Sequence, residues 1–201
     1  MRTKCITLYT FQELSPEAQA RAIERYRVQQ QQDPDTYWAE PIIEDAETIA
    51  GLLGIELRYH DVPLMNKTTR RAPNIWWSLG YCQGDFACIE GTYSYAKGAH
   101  HNIWKHAPQD ATLYSIACDL RDAQRTHGYK LTATITHHHN RGCQVETEPE
   151  DLRVKDAIRR FNGWIYDRLR EADESRQTDE YIRETLENND DEYDEHGSLE
   201  T

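Results

Sequence analysis

The sequence predicts an α+β fold, an antiparallel sheet of about five to six strands with helices packed on one face and an acidic C-terminal helix and tail. Three observations predict it. The segments from Ile42 to Leu53 and from Val154 to Ala172 repeat apolar residues at helical spacing. Those from Ile55 to Tyr59 and from Leu131 to Ile135 alternate apolar and polar residues, as a half-buried strand does. The strand-like segments also follow one another through short turns, which favours antiparallel pairing, while clustered helices favour packing on one face of the sheet.

Cys5 to Phe11 is rich in β-branched and aromatic residues and predicts a first strand. Ser15, Pro16 and Glu17 then supply an N-cap, a first-turn proline and an early acid. With Ala18, Ala22, Ile23 and Tyr26 at helical spacing, they predict a helix that Asp33-Pro34-Asp35 ends. A second helix follows Pro41, and Gly54 stands in its C′ position. The strand from Ile55 comes next, then a polar loop around Asn66 to Arg71. Asn74 to Leu79 and Phe86 to Tyr95 predict two long strands joined by the glycine-punctuated turn Gly80 to Asp85. Gly98 to His106 is expected to be irregular.

A third helix begins near Pro108, buries Leu113, Ile116, Ala117, Leu120 and Ala123, and stops at Gly128. Asn140-Arg141-Gly142 turns the strand after Leu131 into a partner containing Cys143 and Val145. The last large helix runs from about Glu150, and a shorter one from Thr178 buries Ile182 and Leu186. One domain over residues 1–187 is expected, followed by a solvated, flexible tail over 188–201.

The formal charge of −12 is concentrated at one end of the chain. From Glu171 to Thr201 thirteen acids face two bases, a net −11, so the remainder is nearly neutral. Direct nucleic-acid binding needs a basic face, and only Lys67 to Arg71 supplies a basic stretch, so none is expected. No apolar run approaches the roughly 20 residues a bilayer requires, so no membrane is expected. The N-terminal MRTKCITLYTF lacks the apolar core and cleavage site of a signal peptide, which predicts a cytoplasmic protein. Cys5, Cys82, Cys88, Cys118 and Cys143 are odd in number and scattered, which predicts reduced thiols.

Few residues suggest chemistry. His137-His138-His139 could join His100 around a metal, because neutral imidazoles bind zinc well. On a strand, however, His137 and His139 share the face of Leu131, Ala133 and Ile135 while His138 opposes them. The favoured reading is therefore strand-end histidines and no metal; the alternative is a metal-dependent hydrolase using His137, His139 and His100. Gln83, Gly84, Asp85 and Glu90-Gly91 lie in and just after the central turn. Asp85 and Glu90 are an odd number of residues apart, which sets them on opposite faces and argues against paired-carboxylate catalysis. The glycines serve the turn or let two backbones approach closely. The sequence holds no G-x-S-x-G, P-loop or dinucleotide signature, so no enzyme and no cofactor are expected. The acidic segment, with Asp179, Glu180, Glu184 and Glu187, suits a basic surface on a partner protein.

The stretch from Trp77 to Gly91 (WSLGYCQGDFACIEG) resembles the W-S-Q-G-D-G-A-x-F-E-G signature of small bacteriophage and prophage proteins labelled "antitoxin of toxin–antitoxin stability system". The resemblance continues through LYTFQELSPEAQARAI from Leu8, the D-A-x-x-I-A-x-L-L-G-I segment from Asp45, Y-A-K-G from Tyr95 and FNGWIYDRL from Phe161. The chain departs from the signature by inserting Leu79 to Cys82 and by carrying Phe86 and Ile89. The resemblance implies a phage accessory protein that binds and neutralises a host or rival protein. On that basis Gln83, Gly84, Asp85 and Glu90 in the hairpin, and Asp179, Glu180, Glu184 and Glu187 in the acidic segment, are the expected partner-binding residues.

Overall fold

The computed structural model describes residues 7–32, 36–64, 67–80, 84–138 and 142–199. Their helices are α1 (Pro16–Gln32), α2 (Glu40–Leu53), α3 (Ala99–His106), α4 (Ala111–Thr126), α5 (Leu152–Arg176) and α6 (Asp179–Asn188). Their strands are β1 (Ile55–Leu57), β2 (Tyr59–Pro63), β3 (Thr69–Pro73), β4 (Ile75–Ser78), β5 (Phe86–Ile89), β6 (Gly91–Tyr93), β7 (Thr132–His138) and β8 (Gly142–Glu148). The fold is α+β, and it falls into two compact units, a terminal one of residues 1–38 with 171–201 and a central one of residues 39–170. The helix stop expected at Asp33-Pro34-Asp35, and most of the turns expected at Gly80 to Asp85 and Asn140 to Gly142, lie outside the described residues.

In the terminal unit, Ser15 Oγ accepts the Ala18 amide at 3.3 Å and Pro16 opens α1, as the sequence predicts. Phe11, Leu14, Ala18, Ala22 and Ile23 bury against Ile182 and Leu186 of α6 and Tyr193. The first strand predicted over Cys5 to Phe11 is replaced, among its described residues, by one bridging residue, Tyr9, and a 3-10 turn over Phe11–Glu13. The Glu13 carboxylate accepts the Thr10 amide at 2.9 Å, a capping box that turns the chain before a strand can extend. The segment after Glu187, expected as a solvated tail, is exposed or half-buried at every described residue except Tyr193 and Gly197. Tyr193 is only 3% exposed, and its backbone pairs with Tyr9 through two hydrogen bonds of 2.9 Å.

The central unit is built on one four-stranded antiparallel sheet, ordered β1-β6-β7-β8, where the sequence predicts five to six strands. The alternation decides its faces: Leu131, Ala133 and Ile135 are buried while Thr132 and Thr134 are exposed. Helix α2 ends as predicted, with Gly54 left-handed at φ 90°, where a side chain would strike the Ser94 carbonyl. Two segments differ from expectation. The polar loop predicted around Arg70 and Arg71 pairs with β2 as β3, its polar side chains facing solvent. The stretch expected to be irregular is α3, whose helical pattern is faint because only Ala99 and Ile103 of its residues are buried.

The long strand predicted from Phe86 to Tyr95 breaks at Glu90, and the break organises the unit. Arg58 lies between β1 and β2, Asn74 between β3 and β4, and Glu90 between β5 and β6. Their backbones close a ring: Arg58 N donates to Glu90 O at 2.8 Å, Glu90 N to Asn74 O at 2.9 Å, and Asn74 N to Arg58 O at 2.7 Å. Three antiparallel ladders, β1–β6, β2–β3 and β4–β5, radiate from it. Each corner residue, leaving its strand, would otherwise lose its ladder partner; the ring restores one donor and one acceptor to each.

Candidate functional site

The Glu90 side chain occupies the middle of this junction. Its Oε2 accepts Asn74 Nδ2 at 2.7 Å and Trp76 Nε1 at 3.0 Å, and its Oε1 accepts the His137 amide at 3.0 Å. Asn74 Oδ1 in turn meets His60 Nδ1 at 2.9 Å. One carboxylate therefore ties the β2–β3 arm, the β4–β5 arm and β7 together. Burial alone would raise its pKa, but the indole, the His137 amide, the Asn74 amide and the Arg58 charge hold it below the ordinary 4.5. A depressed carboxyl stabilises the fold above its unfolded pKa and loses that contribution as pH falls through the folded value. Glu90→Gln is expected to lower the unfolding free energy by about 2 kcal/mol, since charge-assisted acceptors are lost and an amide group faces donors. Urea unfolding at pH 7 and at successively lower pH checks it: the wild type loses stability below pH 4.5, and the variant's acid limb is flatter.

Beside this carboxylate four rings stand in a row. His60 stacks on Trp76 with centroids 5.0 Å apart, Trp76 on His137 at 6.2 Å, and His137 on Phe86 at 5.0 Å. All four are half-buried, so each presents part of its surface to solvent. His137 lies directly opposite Cys143 in the β7–β8 register, which puts their Cβ atoms about 5 Å apart on one face of the sheet. Behind Cys143 lies Asn162 of α5, only 5% exposed. Its Nδ2 donates to Cys143 Sγ at 3.0 Å and its Oδ1 accepts the Ile89 amide at 3.2 Å, so it bridges β5 and β8.

The predicted partner-binding and metal residues distribute unevenly over this geometry. Glu90 and His137 meet at the junction. Asp85 accepts the Gly80 amide at 2.8 Å and closes the far end of the β4–β5 ladder, so it and Glu90 serve opposite ends. Gly84 is exposed with φ 143°, and Gln83 and His139 lie outside the described residues. His100 sits on α3, where it lines a separate cavity of about 100 Å³ with Tyr95, Arg121, Arg125 and Tyr129. Among the described residues no group of three or more His, Cys, Asp and Glu side chains is placed to hold a metal ion. Asp179, Glu180, Glu184 and Glu187 belong to α6 in the terminal unit, with Asp179 ion-paired to Arg27. The sequence gives no site role to His60, Asn74, Asn162 or the Cys88/Cys143 pair, although Asn74 opens a predicted strand, Cys88 falls in WSLGYCQGDFACIEG, Cys143 in the strand after Gly142 and Asn162 in FNGWIYDRL.

The family model of a domain of unknown function, DUF8835, matches residues 38–179, and the chain belongs to that family. No curated protein and no solved structure matches it. No helix among the described residues is long and apolar enough to cross a membrane.

Proposed function

We propose that this member of the DUF8835 family acts by binding another protein, as an antitoxin-like accessory factor or an antagonist of a host defence system. The observation that carries the reading is the β2–β3 arm. Its ten residues are all exposed or half-buried, and β2 and β3 pair only with each other in the described sheets. A two-stranded ladder is marginal alone in water, and its two open edges are templates for a third strand. A partner segment added to that edge stabilises the arm by β-augmentation, with alternate side chains reading the arm's face. Arg58, Lys67, Arg70 and Arg71 outnumber the one acid on the arm, Asp61, which lies opposite Arg71, so the arm favours an acidic partner segment. The half-buried Trp76 and Phe86 beside it supply the aromatic anchors that concentrate binding energy. The sequence resemblance to antitoxin-labelled phage proteins supports the same class of action.

Arg70→Glu with Arg71→Glu tests the arm. The changes remove an exposed ion pair of Arg70 with Glu40 at 2.5 Å and the stacking of Arg71 over Tyr59 at 4.3 Å. The stability loss is expected to be about 1 kcal/mol. Co-purification from phage-infected bacteria should yield a stoichiometric protein with the wild type and at least tenfold less with this variant. Retention of the same protein by the variant removes the arm from the interface, and the absence of any stoichiometric protein removes the reading. A parallel variant, Glu180→Lys, Glu184→Lys and Glu187→Lys, addresses the acidic face of α6. Selective loss there, with loss of the wild-type complex at high salt, assigns the contact to that face instead.

A further inference from the structure

We infer that Cys88 and Cys143 form a paired-thiol oxidation site, in which a peroxide oxidises Cys143 and Cys88 closes the product into a disulfide within the chain. This chemistry is independent of any docking at the β2–β3 arm and belongs to β5 and β8. Cys88 lies on β5 and is fully buried; Cys143 lies on β8 and is half-buried. The two strands belong to different ladders, yet they meet here: Cys88 Sγ sits 4.0 Å from the carbonyl of Thr136, the residue before the His137 that Cys143 opposes, and 3.4 Å from that of Ile89, whose amide shares Asn162 with Cys143 Sγ.

The surroundings divide the labour between the sulfurs. Cys143 is held below the ordinary thiol pKa by the S–H of Cys88; burial opposes this, and Asn162 Nδ2 and the Arg159 charge add to it. Cys88 is pushed upward by the same contact and by burial, so it stays a thiol until Cys143 is consumed. Asn162 is nearly inaccessible and directs its amide nitrogen onto a sulfur, a weak acceptor unless it is a thiolate. Cys143 is therefore the nucleophile that solvent reaches, and Cys88 is the resolving thiol behind it.

The chemistry balances with a peroxide as oxidant. The Cys143 thiolate attacks one peroxide oxygen; the O–O bond breaks, and the leaving oxygen departs as an alcohol or water after taking up a proton. Cys143 is then a sulfenic acid, oxidised by two electrons. Cys88 sulfur attacks it as its own proton passes to the departing hydroxyl; the S–S bond forms, the S–O bond breaks and water leaves. The disulfide ties β5 of the β4–β5 arm to β8 of the main sheet.

Reduced full-length protein treated with a few equivalents of hydrogen peroxide, quenched with an alkylating agent and mapped by mass spectrometry, provides the test. Cleavage before Asp85 separates Cys88 from Cys82, so all five cysteines are read individually. The expected product is a Cys88–Cys143 disulfide formed at least tenfold faster than any disulfide containing Cys118. Cys88→Ser should leave Cys143 as a sulfenic acid trapped by dimedone, and Cys143→Ser should leave Cys88 unreacted. If either variant fails to fold, the wild-type map decides alone. The inference is overturned if Cys88 and Cys143 remain reduced while other cysteines oxidise, or if Cys143 proceeds to sulfinic acid with Cys88 unlinked.

Discussion

Gly91→Ala is expected to lower the unfolding free energy of the central unit by about 4 kcal/mol, beyond the usual cost of overpacking because the obstacle is backbone. Gly91 pairs with Leu57 at the first rung of the β1–β6 ladder, next to the ring formed by Arg58, Asn74 and Glu90. A Cβ built there lies 2.2 Å from the Glu56 carbonyl oxygen and 3.0 Å from Leu57 Cα. No rotamer change relieves a clash with main-chain atoms, so β1 and β6 must separate and the ring must open. Gly163→Ala is the control. Gly163 is an exposed residue inside α5, and a methyl group added there would meet nothing within 4 Å, so alanine is expected to stabilise by about 1 kcal/mol. Urea unfolding followed by tryptophan fluorescence separates the two, because Trp76, Trp77, Trp104 and Trp164 all report on the central unit. A Gly91→Ala midpoint within error of the wild type would mean that the two strands do not approach as closely as described.

The role of Gly91 is legible in the sequence in kind but not in partner. A glycine after a strand acid announces a turn or a close approach, and the second alternative holds; which backbone approaches depends on a contact with residue 56. The same boundary runs through the rest of the molecule. The apolar stripe of α2, the alternation in β7 and the start of α1 are local patterns, and each is legible without the fold. Strand β3 is not, because Arg70 and Arg71 face solvent on an arm with no buried side and carry no alternation to detect. The break at Glu90 is hidden because Phe86 to Tyr95 is a continuous strand-forming sequence; only Arg58 and Asn74 reveal that two ladders share it. Glu90 and His137 both stand out in the sequence, one as a hairpin acid and the other as a possible ligand. What joins them is a side chain to main-chain bond between residues 47 apart, a relation that no spacing rule contains. The thiol pair is similar: two cysteines on β5 and β8 become neighbours only when α5 lays Asn162 across both strands.

Tyr193→Ala is expected to destabilise the terminal unit by about 4 kcal/mol, and Tyr193→Phe to leave it unchanged or stabilise it by about 1 kcal/mol. The sequence around Tyr193 contains Asp190, Asp191, Glu192, Asp194 and Glu195, the composition of a solvated segment. The one aromatic residue among them makes the difference. Its ring meets Phe11 edge-on at 6.2 Å between centroids and packs in the cluster of Ala18, Ala22, Ile182 and Leu186, so truncation leaves an aromatic-sized cavity. Its hydroxyl is buried with no hydrogen-bond partner among the described residues, so removing that atom alone relieves an unsatisfied group. Gly197 adds a backbone contact of the same kind as Gly91: a Cβ there would lie 2.3 Å from the Ala18 carbonyl oxygen, at φ 76°. Hydrogen exchange of the α1 amides from Ala18 to Ile23 measures the effect directly, since these residues share the core cluster with Tyr193. Lost protection in Tyr193→Ala with full protection in Tyr193→Phe establishes the acidic C-terminal segment as a packed part of the unit, whose charges decorate a surface rather than a free tail. Equal protection in both variants would return the segment to a solubilising role and remove the structural reason for an aromatic residue at that position.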